Sequence, residues 1–174
     1  LVAAPKKTAL DHYVAKADPA YKYKLIQSQK VRGGTIHVID MTSQRYLTRK
    51  EVNRPEWRHW VIIVKPDQVK HQTGLLYIGG GNNDGKPPRP RGELMQIAAV
   101  TGSVVTEIQM VPNQPLVFAD ETRQRYEDAI IAYSWDKFLR GGDEKWPLRL
   151  PMTKAAVRAL DTVTDFMALS LIHI

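Results

Sequence analysis

The sequence predicts a mixed α/β fold, in which an antiparallel start leads into parallel strand–helix units. Three observations support this prediction: a glycine pair joins two alternating segments, a later apolar segment ends in three consecutive glycines, and helical periodicity separates the strands that follow. With 43% hydrophobic and 25% charged residues, the chain of 174 residues has the composition of one globular domain.

The first 20 residues are polar and are predicted to be a leader or linker, with one helical turn within residues 9–16. The small residues at positions 1–5 resemble the end of a signal peptide. At the other end, residues 169–174 are apolar and lack a cap, so we expect a non-native tail. The domain itself is expected to span residues 21–168 of a longer protein.

Three strands are predicted at residues 21–29, 35–41 and 57–64. Alternation of apolar and polar residues, with glycines at 33–34 between the first two strands, predicts an antiparallel hairpin. The fourth strand, residues 74–78, is continuously apolar, which predicts burial on both of its faces.

Helical spacing predicts three helices, at residues 93–101, 125–140 and 153–167. Gly102 is placed as the C-cap of the first helix, and Thr153 as the N-cap of the last. A strand within residues 103–110 follows the first helix, so this strand–helix–strand unit predicts a right-handed parallel crossover. A further parallel strand is expected after the last helix, beside residues 75–78, whose apolar edge would otherwise be unpaired.

The net charge of +7 is concentrated at the start of the chain, because residues 1–70 contain 14 Lys/Arg and 6 Asp/Glu. A nucleic-acid site would need these charges on one face among exposed aromatic residues. Lys22, Lys24 and Lys30 instead follow the alternation of a strand, which favours a solvated sheet face. We expect no nucleic-acid partner and no membrane span. The sequence does not predict the oligomeric state.

The most informative segment is Gly79, Gly80, Gly81, Asn82 and Asn83, hereafter the glycine loop. It directly follows an apolar strand, and glycines let backbone N–H groups approach an anion closely. A nucleotide-binding P-loop is disfavoured because prolines 87–88 follow the Gly-Lys pair, where that motif needs a hydroxyl and a helix start. The dinucleotide-binding spacing of glycines also fails.

An oxyanion hole suits the glycine loop better, since α/β-hydrolases take one donor of theirs from the loop after the third core strand. The candidate donors are Gly80, Gly81 and Asn82. The alternative, a tight turn with no ligand, stays open at this stage. No serine is flanked as in a Gly-x-Ser-x-Gly elbow, so we predict no catalytic residue within the chain itself.

Candidate substrate-pocket residues are Asn83, Asn113, Gln114, Tyr133 and Trp135. Residues 113–114 follow a predicted parallel strand, and ligands bind at the carboxyl ends of such strands. A proline-flanked loop that hydrogen-bonds its own backbone explains these residues equally well. Aromatic residues at helical spacing belong to a core more often than to a pocket. The histidines lack ligand spacing and the chain has no cysteine, so neither a metal nor another cofactor is expected.

Six segments together resemble the PhoPQ-activated pathogenicity-related family. They are VIDMTSQ (38–44), RPEWRHW (54–60), YIGGGNN (77–83), MVPNQP (110–115), EDAIIAYSW (127–135) and WPLRLPMTK (146–154). The resemblance covers about residues 20 to 167. It implies an α/β-hydrolase-like fold, of which this chain would be the N-terminal half, ending before the nucleophile elbow.

The resemblance also implies a secreted or periplasmic bacterial protein with the glycine loop facing its site. For the full-length protein we expect acyl transfer on an ester or peptide, whereas the chain alone should be inactive. The alternative is a non-catalytic virulence, signalling or binding protein on the same scaffold. A serine on a glycine-flanked turn, followed by separated Asp and His, would favour the enzyme.

Overall fold

A five-stranded sheet with helices on both of its faces forms the centre of the molecule. The computed structural model describes residues 6–83, 85–89 and 91–172, so positions 1–5 of the predicted signal-peptide end, and positions 173–174 of the predicted tail, lie outside it. In chain order its elements are α1 Ala9–Ala15, β1 Lys22–Val31, β2 Gly34–Arg45, β3 Glu56–Pro66, β4 Leu75–Ile78, α2 Gly92–Thr101, β5 Val105–Ile108, α3 Glu127–Gly141 and α4 Arg149–Ile172.

The strands are ordered β1-β2-β3-β5-β4 in the sheet. The first three strands and β5 pair antiparallel in turn, whereas β4 and β5 are parallel and are joined through α2. This confirms the predicted mixed α/β class, the antiparallel hairpin and the parallel crossover. Gly102 ends α2 with a φ of 67°, the left-handed C-cap that the sequence predicted.

The main core lies between one face of the sheet and helices α3 and α4. Its fully buried side chains come from alternating positions of β2 and β3, together with α3 and α4, and they include Ile39, Trp57, Ile63, Ile130 and Ala159. A smaller cluster on the opposite face packs α2 against β3 and β5. Helices α3 and α4 therefore cover one face of the sheet, and the short helix α2 covers part of the other.

Helix α1, in the segment predicted to be a leader, packs on α4. It begins with a capping box between Thr8 and Asp11. At its other end, the ammonium group of Lys154 donates to the carbonyl oxygens of Tyr13 and Lys16, over 3.3 and 2.6 Å. Lys154 is buried, and the resulting loss of hydration lowers the pKa of its ammonium group.

Helix α4 begins at Arg149, before the predicted N-cap at Thr153, so that prediction is wrong. Pro151 lies in the first turn of α4, where its missing N–H has no helical partner to lose. The Thr153 hydroxyl donates to the Arg149 carbonyl oxygen over 2.9 Å instead of capping the helix. The helix also continues beyond position 167, its predicted end, to Ile172.

Strand β4 was predicted to be buried on both faces, and this is wrong. Leu75, Tyr77 and Ile78 are 45%, 44% and 52% exposed, respectively. The reason is the place of β4 at the end of the sheet, because β5 occupies one side of it and no described strand occupies the other. Its apolar residues thus lie on a strand whose outer edge is unpaired among the described residues. This is the edge where a further strand is expected.

Such an edge can pair with other chains, so we expect this chain to associate at high concentration. Replacing Ile78 by lysine should suppress the association, because a charge on an edge strand opposes pairing. Val100→Lys is the matched control, since Val100 is 76% exposed on α2 and lies away from the edge. Light scattering coupled to size exclusion would measure the mass, and a monomeric unsubstituted chain at high concentration would contradict the expectation.

Candidate functional site

The glycine loop leaves the carboxyl end of β4, where β4 runs parallel to β5. The N–H of Gly79 donates to the carbonyl oxygen of Ile108 over 2.7 Å. In return, Val111 N–H donates to the carbonyl oxygen of Gly79 (3.1 Å), and Met110 N–H to that of Gly80 (2.9 Å). These bonds continue the strand pairing and fix the loop at the sheet edge where open α/β sheets bind ligands.

Within the described part of the chain, the N–H groups of Gly80, Gly81 and Asn82 make no hydrogen bond. All three residues are exposed. Gly81 has a φ of +115°, which side-chain-bearing residues rarely adopt, although a Cβ there would meet no atom within 4 Å. Its backbone conformation, rather than lack of space, therefore requires glycine.

Asn83 and Asn113 are buried amides that support the end of the glycine loop, with 9% and 1% exposure. The Asn83 amide nitrogen donates to Asn113 Oδ1 (3.2 Å) and to the Pro115 carbonyl oxygen (3.3 Å), while its Oδ1 accepts from Arg54. The Asn113 amide nitrogen donates to the carbonyl oxygen of Arg58. Both amides are engaged within the protein, and their contact with a substrate stays a prediction.

Gln114 joins the glycine loop to α3. Its carbonyl oxygen accepts the N–H of Asn83 over 2.5 Å, and its side-chain Oε1 accepts the N–H of Glu127 over 2.7 Å. Its Nε2 donates to the Glu127 carboxylate over 3.3 Å. The Gln114 side chain thus caps the start of α3, although Gln114 precedes this helix by 13 positions in the sequence. It also fixes the position of Glu127, whose φ is 36°.

Glu127 lies beside the glycine loop, a placement that sequence reasoning missed. Its Oε1 is 3.7 Å from the point where a Cβ of Gly80 would lie. From the sequence, Glu127 had only the role of an acidic residue at the positive end of a helix. The contact that places it, with Gln114, joins residues 13 positions apart and leaves no local signal.

Glu107, on β5, is a buried carboxylate behind the same loop, and its side chain has no exposed surface. Arg91 Nε lies 3.0 Å from its Oε1, yet neither carboxylate oxygen accepts a hydrogen bond, because the N–H is poorly aligned. We therefore treat the contact as an ion pair without a hydrogen bond. A Cβ on Gly79 would lie 3.0 Å from the same oxygen, so a side chain at position 79 would require the Glu107 carboxylate to shift slightly.

Tyr133 and Trp135 are on α3, six and eight residues beyond Glu127, or about 9 and 12 Å along the helix. Tyr133 stacks on Phe118 with ring centroids 3.9 Å apart, so it forms part of the core boundary. Trp135 is 42% exposed. The structure places Asn113 and Gln114 against Asn83 of the glycine loop, whereas a role for the two aromatic residues remains a prediction.

A buried Ser–His pair, which the sequence did not reveal, joins Ser43 on β2 to His59 on β3. Ser43 Oγ is 3.0 Å from His59 Nε2, and His59 Nδ1 is 3.1 Å from the carbonyl oxygen of Gln109. A carbonyl oxygen can only accept, so Nδ1 carries the proton and Ser43 donates to Nε2. Both side chains have no exposed surface, which excludes substrate access and indicates a structural pair.

Burial lowers the pKa of His59 from 6.5 to about 4. The folded chain therefore keeps His59 neutral while the unfolded chain takes up a proton below pH 6.5, so stability is lost as the pH falls toward 4. From pH 6.5 to 5 we expect a loss of about 1.5 kcal/mol from this group. Urea unfolding at both values should show a smaller loss for His59→Gln, whereas His71→Gln, at an exposed position, should retain the full loss. Equal pH dependence in all three proteins would contradict this.

The described residues contain no group of three or more His, Cys, Asp or Glu side chains that could hold a metal ion. Among the helices of the described ranges, none is both long enough and apolar enough to cross a membrane. The candidate site is therefore the glycine loop with its supporting amides and the two flanking carboxylates, Glu107 and Glu127.

The family model described as "PhoPQ-activated pathogenicity-related protein" matches residues 10–174 of the chain. Among curated proteins, the chain is similar to autocrine proliferation repressor protein A of Dictyostelium discoideum, with 38% identity over 169 residues. This match covers 95% of the chain and 34% of the relative, so the chain spans about a third of the relative's length.

Among solved structures, the chain is similar to the crystal structure of a candidate acetyl xylan esterase from Bacteroides fragilis NCTC 9343. The TM-score is 0.46 and the sequence identity is 11%. The match covers 88% of this chain and 40% of that chain.

Proposed function

The chain belongs to the PhoPQ-activated pathogenicity-related protein family, and from this premise we propose that it supplies the oxyanion-binding part of a serine-hydrolase-like protein. The reaction would be acyl transfer on an ester or peptide, carried out by the full-length protein. The glycine loop would stabilise the negative oxygen that forms when the carbonyl carbon is attacked.

One observation carries this proposal: Gly80, Gly81 and Asn82 are exposed residues at the carboxyl end of a parallel strand, and their N–H groups make no hydrogen bond to any described residue. Buried N–H groups elsewhere in proteins are nearly always paired, and exposed ones at such a sheet edge are available to a ligand. Preorganised backbone donors of this kind are the usual components of an oxyanion hole.

The strand order supports the same proposal. In an α/β-hydrolase, the second oxyanion donor follows the nucleophile, which lies on a sharp strand-to-helix turn. The outer edge of β4 is unpaired among the described residues, so a further parallel strand paired there would end next to the glycine loop. A nucleophile at the end of such a strand would face the N–H groups of Gly80, Gly81 and Asn82.

The Glu127 carboxylate lies beside Gly80, so its negative charge would repel an oxyanion bound at the glycine loop. The three N–H groups must outweigh this charge for an oxyanion to bind. The carboxylate is exposed, which screens its effect. Gln114 Nε2 also donates to it and offsets part of its negative charge.

Export of the protein to the periplasm or beyond is a further part of the proposal. The family description, which refers to pathogenicity, supports a bacterial protein that acts outside the cytoplasm. Fractionation of cells that express the full-length gene would test this. Recovery of the protein only with cytoplasmic markers would contradict it.

A non-catalytic signalling or binding protein on the same scaffold is the second candidate. Two observations favour it: the Ser43–His59 pair is inaccessible, and the Dictyostelium relative is named as a proliferation repressor rather than as an enzyme. In this case the glycine loop would bind a partner's carboxylate or carbonyl oxygen without turnover.

Hydrolysis of p-nitrophenyl acetate by the full-length protein and by this chain alone separates the two candidates. The proposal expects turnover by the full-length protein and none above background by the chain, which offers the donors while its Ser43–His59 pair is buried. Turnover by the chain alone would overturn the assignment of roles, and inactivity of both proteins toward a panel of esters and peptides would favour the binding protein.

A further inference from the structure

A small cleft next to the glycine loop is rich in arginine and is here called the arginine cleft. It has a volume of about 260 Å³. Its lining residues are Arg49, Asn53, Arg54, Pro55, Glu56, Arg58, Asn83 and Asn113. Cavities for whole drug-sized ligands are typically about 300–1,000 Å³, so this cleft suits one small chemical group.

Two of the charges that line the arginine cleft are already neutralised. Arg58 forms a two-bond ion pair with Asp40, at 2.6 and 2.8 Å. Glu56 pairs with Arg45 at 2.8 Å, and this hydrogen bond is the main reason why the pKa of Glu56 is lowered. Neither pair therefore leaves a net charge in the cleft.

Arg49 and Arg54 are different, because neither forms an ion pair with any described residue. Arg54 donates to the side-chain oxygen of Asn83, a neutral amide. Arg49 acts on Glu56 only through its electrostatic field. The cleft thus carries two positive charges without a counter-ion among the residues that the structure describes.

Arg54 is also held in place, which distinguishes it from a mobile surface arginine. Its partner Asn83 is buried and is itself fixed by hydrogen bonds to Asn113 and Pro115. A guanidinium group that is positioned before a ligand arrives loses less conformational entropy on binding. The same amide network fixes the end of the glycine loop.

We propose that the arginine cleft is a binding site for an anionic oxygen group, a carboxylate or a phosphate, held by Arg54 and Arg49. Guanidinium groups match the planar or tetrahedral oxygens of such anions with paired hydrogen bonds. This site goes beyond the oxyanion role of the glycine loop and does not depend on whether the full-length protein is an enzyme.

Titration of the chain with inorganic phosphate or acetate, followed by NMR of the side-chain amides of Asn83 and Asn113, tests the proposal. Saturable shifts of these signals are expected, and the anion that binds more tightly identifies the preferred group. Chloride at equal ionic strength should not reproduce them. Absence of saturation for both phosphate and acetate would overturn the proposal.

Arg54→Gln should weaken binding of the preferred anion at least tenfold. Arg49→Gln should also weaken it, and since Arg49 has no described hydrogen bond to lose, this variant keeps the test valid if Arg54→Gln does not fold. Arg140→Gln is the matched control for net charge, because Arg140 is 79% exposed on α3 and pairs with Asp136. Equal weakening by all three substitutions would overturn the proposal, because it would show only a general charge effect.

Discussion

Replacing Arg91 by methionine is expected to lower the free energy of unfolding of the chain by about 3 kcal/mol, because it leaves the buried Glu107 carboxylate without its ion-pair partner. Glu107 has no exposed side-chain surface, and no other ion pair reaches it among the described residues. Arg91 is 48% exposed, which places the effect at the lower end of the range for broken buried pairs. Methionine retains apolar contact with Tyr77, over whose ring the guanidinium lies at 5.3 Å.

Urea unfolding at pH 7 would measure this effect, with Arg89→Met as the matched control. Arg89 is an exposed arginine of the same segment, and its substitution should change stability by no more than about 0.5 kcal/mol. In a background of Glu107→Gln, where the buried charge is absent, Arg91→Met should cost less than about 1 kcal/mol. Equal effects of Arg91→Met and Arg89→Met would show that Glu107 does not depend on this pair.

Replacing Gly81 by alanine in the full-length protein is expected to lower kcat for ester hydrolysis by about 10²–10³, the usual cost of losing one oxyanion donor. The φ of +115° at Gly81 is strained for alanine, so the loop must relax and displace the N–H groups of Gly81 and Asn82. Because a Cβ would meet no atom within 4 Å, the substitution changes the backbone without a steric clash.

Gly33→Ala provides a control with the same kind of strain. Gly33 has a φ of +85° and lies between β1 and β2. A Cβ added there would also meet no atom within 4 Å. Its substitution should cost stability but leave kcat within twofold. Loss of kcat in both variants would indicate a global effect, and unchanged kcat in Gly81→Ala would contradict the role of the glycine loop.

Local patterns predicted most of the fold. Alternation located β1 and β2, residues 57–64 were correctly predicted as the third strand, and Gly102 correctly marked the end of α2. The start of α4 was missed because Thr153 was interpreted as its N-cap, although Pro151, two residues earlier, is compatible with a first helical turn. The exposure of β4 was missed because an apolar run does not encode the position of its strand in the sheet.

The candidate site was predictable only in its backbone. Consecutive glycines after a strand predicted the position of the loop, and the structure leaves the N–H groups of Gly80, Gly81 and Asn82 without partners among the described residues. The flanking carboxylates were not predictable, because Glu107 and Glu127 reach the loop through contacts that only the folded sheet creates. The same holds for Arg54, whose position depends on an amide 29 residues away.

The most direct test of the account is the response of the loop's own amides to an oxyanion. NMR of the full-length protein before and after reaction with a serine-directed phosphonate would follow the amide protons of Gly80, Gly81 and Asn82, with that of Gly33 as reference. The account predicts downfield shifts and slower hydrogen exchange for at least two of the three amides. A phosphonate adduct that leaves all three as unchanged as Gly33 would contradict it.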